Sequence, residues 1–248
     1  MVHDEWRWIS DGRHSAEENM AVDAALLADC EQGRIPPTVR LYGWSEPAIT
    51  LGYSQNAEAE LDLEHCRELG IPVVRRPTGG RALLHNNELT YAVVAPVSLV
   101  PFNRGLKATF QAVSEALLAG LHDLGIQGDL NTSKQRSAPG ITRSPACFAS
   151  LNHCEITVEG KKLVGSAQKR TSKAFLQHGS LIIESDHALF TSVLKFDTES
   201  DKIATHQRLM HSTTTLNQVC DRKFSFEEIS AALHEGFRKT LGGVCLNY

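Results

Sequence analysis

The chain has 248 residues, of which 42% are hydrophobic and 22% charged, values near the globular average that exclude a disordered or coiled-coil chain. Its 25 Lys and Arg against 29 Asp and Glu leave a formal charge of −4, so neither nucleic acid nor a membrane surface is an expected partner. Six cysteines without a CxxC pair are too sparse for a disulfide scaffold. The start, MVHDEWRWIS, is acidic and lacks the apolar run of a signal peptide. The most apolar stretch, 91–102, contains Pro96 and Pro101 and is too short to cross a bilayer. A cytoplasmic protein with reduced thiols is expected.

In chain order, Ser15-Ala-Glu-Glu18 forms a capping box and predicts a helix running to about Gly33, with Met20, Ala24 and Leu27 on its buried stripe. Residues 38–44 alternate as a strand, and 48–53 read as a second strand after Pro47. Residues 62–69 predict a short helix stopped by Gly70, 71–76 a strand, 77–80 a turn and 88–95 a further strand. Phe110, Val113, Leu117, Leu121 and Leu124 recur at helical spacing. Residues 131–146 are polar, with two prolines and a glycine, and read as a long binding loop. Residues 154–168 predict a hairpin turning at Glu159-Gly160, and 178–185 predict a third strand beside it. Short helices near 186–195 and 226–240 complete one α+β domain over 1–248.

No P-loop, GxGxxG, GxSxG or HExxH motif occurs. The most informative segment is Arg75-Arg76-Pro77-Thr78-Gly79-Gly80-Arg81-Ala82-Leu83-Leu84-His85. Paired glycines allow backbone N–H groups to approach a ligand, and arginines beside them favour a phosphate or carbonyl. The same residues also suit an ordinary tight turn with solvated arginines. Cys147 ends the long polar loop, with Lys134, Arg136, Arg143, Lys161 and Lys162 near it in sequence. A cation beside a thiol favours the nucleophilic thiolate, whereas a buried cysteine is simply a small hydrophobe.

Hairpin pairing puts Lys162 opposite Thr157, at an end where lysines are ordinarily solvated. Cys147 would then lie about 30 Å away along a straight strand at ~3.3 Å per residue. A Cys147–Lys162 pair therefore requires residues 147–153 to fold back. No metal is expected: His153 and Cys154 are adjacent and point to opposite strand faces, so with Cys147 and His178 they form no convergent tetrad.

Three blocks resemble the biotin/lipoate ligase and transferase fold on its lipoate-attachment branch, from about Met20 to Cys220. They are Asn19-Met-Ala-Val-Asp23, the 75–85 segment with Glu88-Leu-Thr-Tyr91, and Lys162-Leu-Val-Gly-Ser-Ala-Gln168 with Gln177-His-Gly-Ser180. Within that branch the chain is most similar to octanoyltransferases of the LipM type. Those enzymes carry a nucleophilic cysteine in an Ala-Cys-Phe context, as at Cys147, and a lysine fifteen residues later, as at Lys162. Residues 150–155, Ser-Leu-Asn-His-Cys-Glu, depart from the Pro-Ser-x-Tyr-Glu stretch usual there.

The resemblance implies a mixed, mostly antiparallel sheet flanked by helices, an acyl pocket at the sheet edge and no C-terminal accessory domain. It implies that Cys147 takes an octanoyl group from octanoyl-acyl-carrier protein while Lys162 holds the thiolate. The acceptor would be a lysine of a lipoyl domain, such as the glycine cleavage H protein or a 2-oxoacid dehydrogenase subunit. Substrate contacts fall to Arg75, Arg76, Thr78, Gly79, Gly80, Arg81, Ala82, Leu83, His85, Val164, Gly165, Ser166, Ala167, His178 and Gly179. The turn 78–82 and residues 165–167 would offer donors to the carbonyl oxygen, and Leu83 and Val164 would line the acyl slot. No cofactor is implied. The alternative is a single-domain lipoate–protein ligase using ATP and Mg²⁺, with the arginine–glycine turn on the adenylate phosphate. A third possibility is an acyl- or carrier-binding protein without turnover, for which Cys147 is dispensable.

Overall fold

The computed structural model describes residues 5–131 and 155–242, and the backbone of 244–247. The chain opens with β1 (Glu5–His14), α1 (Ala16–Glu31) and β2 (Thr38–Trp44), and β6 (Glu88–Pro96) is followed by α4 (Leu106–Asp123). Between β2 and β6 lie β3 (Ala48–Leu51), α2 (Ala57–Glu60), α3 (Leu63–Glu68), β4 (Val73–Arg75) and β5 (Leu83–His85). After α4 come β7 (Asp129–Leu130), β8 (Ile156–Val158), β9 (Lys161–Arg170) and β10 (Ala174–Ile182). The remainder is α5 (His187–Val193), α6 (Glu199–Ser212), α7 (Leu216–Val219), α8 (Phe226–Leu241) and β11 (Val244–Asn247).

The main sheet has eight strands in the order β11-β1-β2-β6-β10-β9-β8-β7, and a small sheet runs β4-β3-β5. β1 lies parallel to β11 and β2, and β3 to β4; every other pairing is antiparallel. The mixed, mostly antiparallel α+β architecture is thus as expected. Trp6, Trp8, Val113, Leu117, Leu233 and Phe237 join the sheet to α4 and α8 in one core cluster. A second cluster, with Met20, Leu27, Tyr42, Trp44 and Leu176, fixes α1 on the same sheet. The third fills the space between the small sheet and α3, α5 and α6.

Local signals account for much of this. The Ser15–Glu18 capping box forms with both of its bonds. Glu159 and Gly160 both have positive φ, 51° and 75°, the combination that matches hairpin twist, and Thr157 pairs with Lys162 as expected. Other boundaries differ. Residues 5–14, unassigned in the sequence analysis, form β1, whose Trp6 and Trp8 alternate into the core. Helix α6 was also missed; only Thr205 and Leu209 of its residues are buried, so its apolar signal is weak. The strand expected at 178–185 starts earlier, at Ala174, and stops at Ile182. The expected loop beyond residue 131, including Cys147, lies outside the described residues. Among the described residues no helix is long and apolar enough to cross a membrane.

Candidate active site

A cavity of about 420 Å³, counting its open mouth, lies between α1, the small sheet and strands β9 and β10. Met20, Trp44 and Leu83 supply apolar wall, and Gly165, Ser166, Ala167 and Gly179 supply the β9–β10 side. Beyond Val164, β9 pairs only with β10 among the described residues. Among the described residues, alternate backbone groups of 165–170 therefore have no strand partner on that side.

Two histidine relays form the polar wall. Thr50 Oγ1 accepts from Arg76 Nη1 at 3.0 Å and stands 2.8 Å from His85 Nε2, to which it donates when the ring's hydrogen is on Nδ1. His85 then carries its hydrogen on Nδ1 and donates to Glu88 Oε1 at 2.8 Å. The same oxygen accepts from Thr90 at 2.7 Å and Ser180 at 2.6 Å. The Trp44 indole N–H donates to Thr90 Oγ1 at 2.8 Å, and its ring stacks on His85 at 3.9 Å between centroids. Burial pushes the Glu88 carboxyl up, but His85 and the three hydrogen bonds outweigh it and hold it below its ordinary value.

The second relay runs across the molecule. His178 Nδ1 donates to Asp23 Oδ2 at 2.8 Å, and Nε2 accepts from Thr78 Oγ1 at 2.7 Å. Tyr42 donates to Asp23 Oδ2 at 2.9 Å and Arg40 to Asp23 Oδ1 at 3.0 Å. Arg40 also bonds Asp11 and Asn19. On the opposite side of the sheet network, Ser166 Oγ lies 2.6 Å from Tyr91 OH, which accepts from Gln177. Burial raises the Tyr91 hydroxyl to about 12, so it stays a phenol.

The expected substrate contacts divide on this geometry. Arg76, Leu83, His85, Gly165, Ser166, Ala167, His178 and Gly179 line the cavity. Arg75, Thr78, Gly79, Gly80, Arg81 and Ala82 do not. Arg75 Nη1 instead holds the carbonyls of Gly52, Tyr53 and Gln55. Arg76 places Nε and both terminal nitrogens on Gly79 O, Thr50 O, Thr50 Oγ1 and Arg81 O. All five of its N–H groups are thereby committed, and none is left for a phosphate. The glycine turn does admit a close backbone, but that backbone is Gly52: a Cβ there would stand 2.1 Å from Gly80 O. Val164 is not among the residues that line this cavity. It packs in the main core between Ile156 and Leu181 rather than in the cavity wall.

Lys162 also departs from expectation, because its side chain is fully buried and not solvated. Its ammonium lies 2.6 Å from Glu155 Oε1, while its carbonyl accepts from Thr214. Glu155, absent from the expected site, is thus the partner that makes a buried lysine tolerable. Cys147 lies outside the described residues. Among the described cysteines, burial raises the thiol of Cys30 to about 11 and those of Cys66 and Cys220 above the ordinary value. None of these three is an activated nucleophile. Sequence reading also missed Trp44 and Thr50, which lie outside the quoted blocks, and Thr90 and Ser180, which lie inside them but were given no role. Among the described residues no group of three or more His, Cys, Asp or Glu is placed to hold a metal.

The lipoyl protein ligase A/B catalytic domain family, as a sequence profile, matches residues 15–238. The chain belongs to this family. It is similar to curated members named octanoyltransferase LipM. The one from Geobacillus kaustophilus is 36% identical over all of this chain and 90% of that protein. The one from Kyrpidia tusciae is 38% identical over 96% of this chain and 87% of that protein. The fold is shared with a Thermoplasma acidophilum protein described as a putative lipoate protein ligase with bound lipoic acid. That likeness has a TM-score of 0.76 at 24% identity and covers 98% of this chain and 88% of that one. A lipoate-protein ligase A bound with ATP matches equally, with a TM-score of 0.76 and 24% identity, over 98% of this chain and 89% of that one.

Proposed function

We propose that this protein is an octanoyltransferase that moves an octanoyl group from acyl-carrier protein to a lysine of a lipoyl domain. The observation that carries the reading is the full-length similarity to octanoyltransferases, 36% to 38% identical. The cavity, walled on one side by residues 165–167 of the strand that also carries Lys162, supports it. The Cys147 thiolate attacks the thioester carbonyl carbon, and the carrier's thiol leaves with a proton. The acceptor lysine amine then attacks the acyl-enzyme, loses a proton and forms an amide, and the Cys147 thiolate is restored. Lys162 is assigned to stabilise that thiolate by charge, and the backbone at 165–167 to bond the carbonyl oxygen on the side of β9 away from β10. The proposed acceptor is the unmodified lysine of a lipoyl domain, in a glycine cleavage H protein or a 2-oxoacid dehydrogenase subunit.

The ligase alternative calls on the arginine–glycine turn to hold an adenylate phosphate, and the committed donors of Arg76 count against that role. The test is intact mass after incubation with octanoyl-acyl-carrier protein and no nucleotide. The wild type should gain one octanoyl group and Cys147→Ser none. Lys162→Met should move the pH profile of Cys147 alkylation upward. Lipoylation from free lipoate with ATP and Mg²⁺, with no transfer from the carrier, would establish the ligase instead. Carrier binding without any mass gain would establish the binder.

A further inference from the structure

The cavity wall is rich in polar side chains, an odd lining for an alkyl chain. Every proton on those side chains is nevertheless already given away. Thr50 donates to His85, His85 to Glu88, and Thr90 and Ser180 to Glu88. His178 donates to Asp23, and the Trp44 indole N–H goes to Thr90. Arg76 has all five N–H groups on Thr50, Gly79 and Arg81. Glu88 is the hub, because one of its oxygens takes three donors that would otherwise face the cavity. The exception is Ser166, which shares a single bond with Tyr91. It stands on β9 among the residues assigned to the thioester carbonyl.

We propose that this internally bonded wall sets acyl specificity: it accepts an alkyl end and rejects a chain whose far end carries a hydrogen-bond acceptor. The inference rests on the octanoyltransferase reading and deepens it. An oxo group placed against the wall loses its water and, Ser166 aside, finds no donor among the described side chains that line it. A buried acceptor without a partner is costly, whereas a methylene in the same place loses nothing. Discrimination comes from the absence of available donors and not from lack of space, since a methyl ketone is nearly isosteric with the corresponding alkyl end. Thr50 and Thr90 are the specificity-determining positions, because each occupies a donor that itself lines the cavity, Arg76 Nη1 and Trp44 Nε1 respectively.

The experiment compares transfer of octanoyl and 7-oxooctanoyl groups from acyl-carrier protein to a lipoyl domain, without nucleotide. The wild type should favour octanoyl by about tenfold to a hundredfold in kcat/KM, the range reached when a pocket meets an unmatched polar group of similar shape. Thr50→Val uncovers an Arg76 N–H and Thr90→Val uncovers the Trp44 N–H, so either folded variant should narrow the ratio by about tenfold. A wild-type ratio near one, or a ratio unchanged in both variants, overturns the proposal. Failure of octanoyl transfer itself would strike the activity reading. Specificity is then read from the calorimetric dissociation constants of octanoate and 7-oxooctanoate, with the same expected preference and the same overturning result.

Discussion

The two histidine relays at the cavity use the same residue types, yet their buried charges are balanced differently. Asp23 is paired with Arg40, and both side chains are fully buried. Its other oxygen serves Tyr42 and His178. Glu88 has no guanidinium partner in its relay; His85 and two hydroxyls converge on one oxygen. A guanidinium is a permanent charge, so the Asp23 relay is an ion pair across the sheet. The Glu88 relay is an anion held by hydrogen bonds, which makes it the adjustable half of the wall.

The largest break should come from the ion pair. Arg40→Met leaves the Asp23 carboxylate buried without its cation and should cost about 3–5 kcal/mol in urea unfolding. Glu155→Gln strands the Lys162 ammonium in the same way and belongs in the same range. Glu88→Gln should cost less, about 2 kcal/mol, because it weakens charge-assisted hydrogen bonds without exposing an opposite buried charge. Equal losses for Arg40→Met and Glu88→Gln would erase the distinction between the relays.

Acid titration sharpens it. The Glu88 carboxyl is held below its ordinary value in the fold. Its stabilisation is therefore present above the unfolded value of about 4.3 and is lost as pH falls through the lower folded one. The stability of Glu88→Gln should fall less steeply than that of the wild type from about pH 5 downward. Parallel curves would show that the carboxyl is not held low.

The smallest effect is expected outside the cavity. His234 packs against Trp8 with ring centroids 4.4 Å apart and planes tilted by 46°, and burial lowers its pKa. The unfolded chain then takes up its proton first, so stability declines as pH falls below about 6.5. His234→Phe keeps the ring contact and should flatten the profile between about pH 7 and 5.5. A steeper profile in the variant would reverse the sign of this assignment.

The sequence by itself determined the features whose energies act between near neighbours. The Ser15–Glu18 cap, the Glu159-Gly160 turn with Lys162 opposite Thr157, and the stripe of Val113, Leu117 and Leu121 all depend on residues a few positions apart. Similarity in the three motif blocks carried the family and brought half of the expected contacts to the cavity. Only the tertiary structure decided what those residues do. Arg76 points its donors at its own turn because Thr50, on the neighbouring strand, completes the set. Lys162 is buried because Glu155 meets it and the chain at Thr214 closes over its backbone. His178 is held between Thr78 and Asp23, partners 100 and 155 residues away. Burial and hydrogen-bond partnership depend on which distant segments pack together, and no local spacing encodes that.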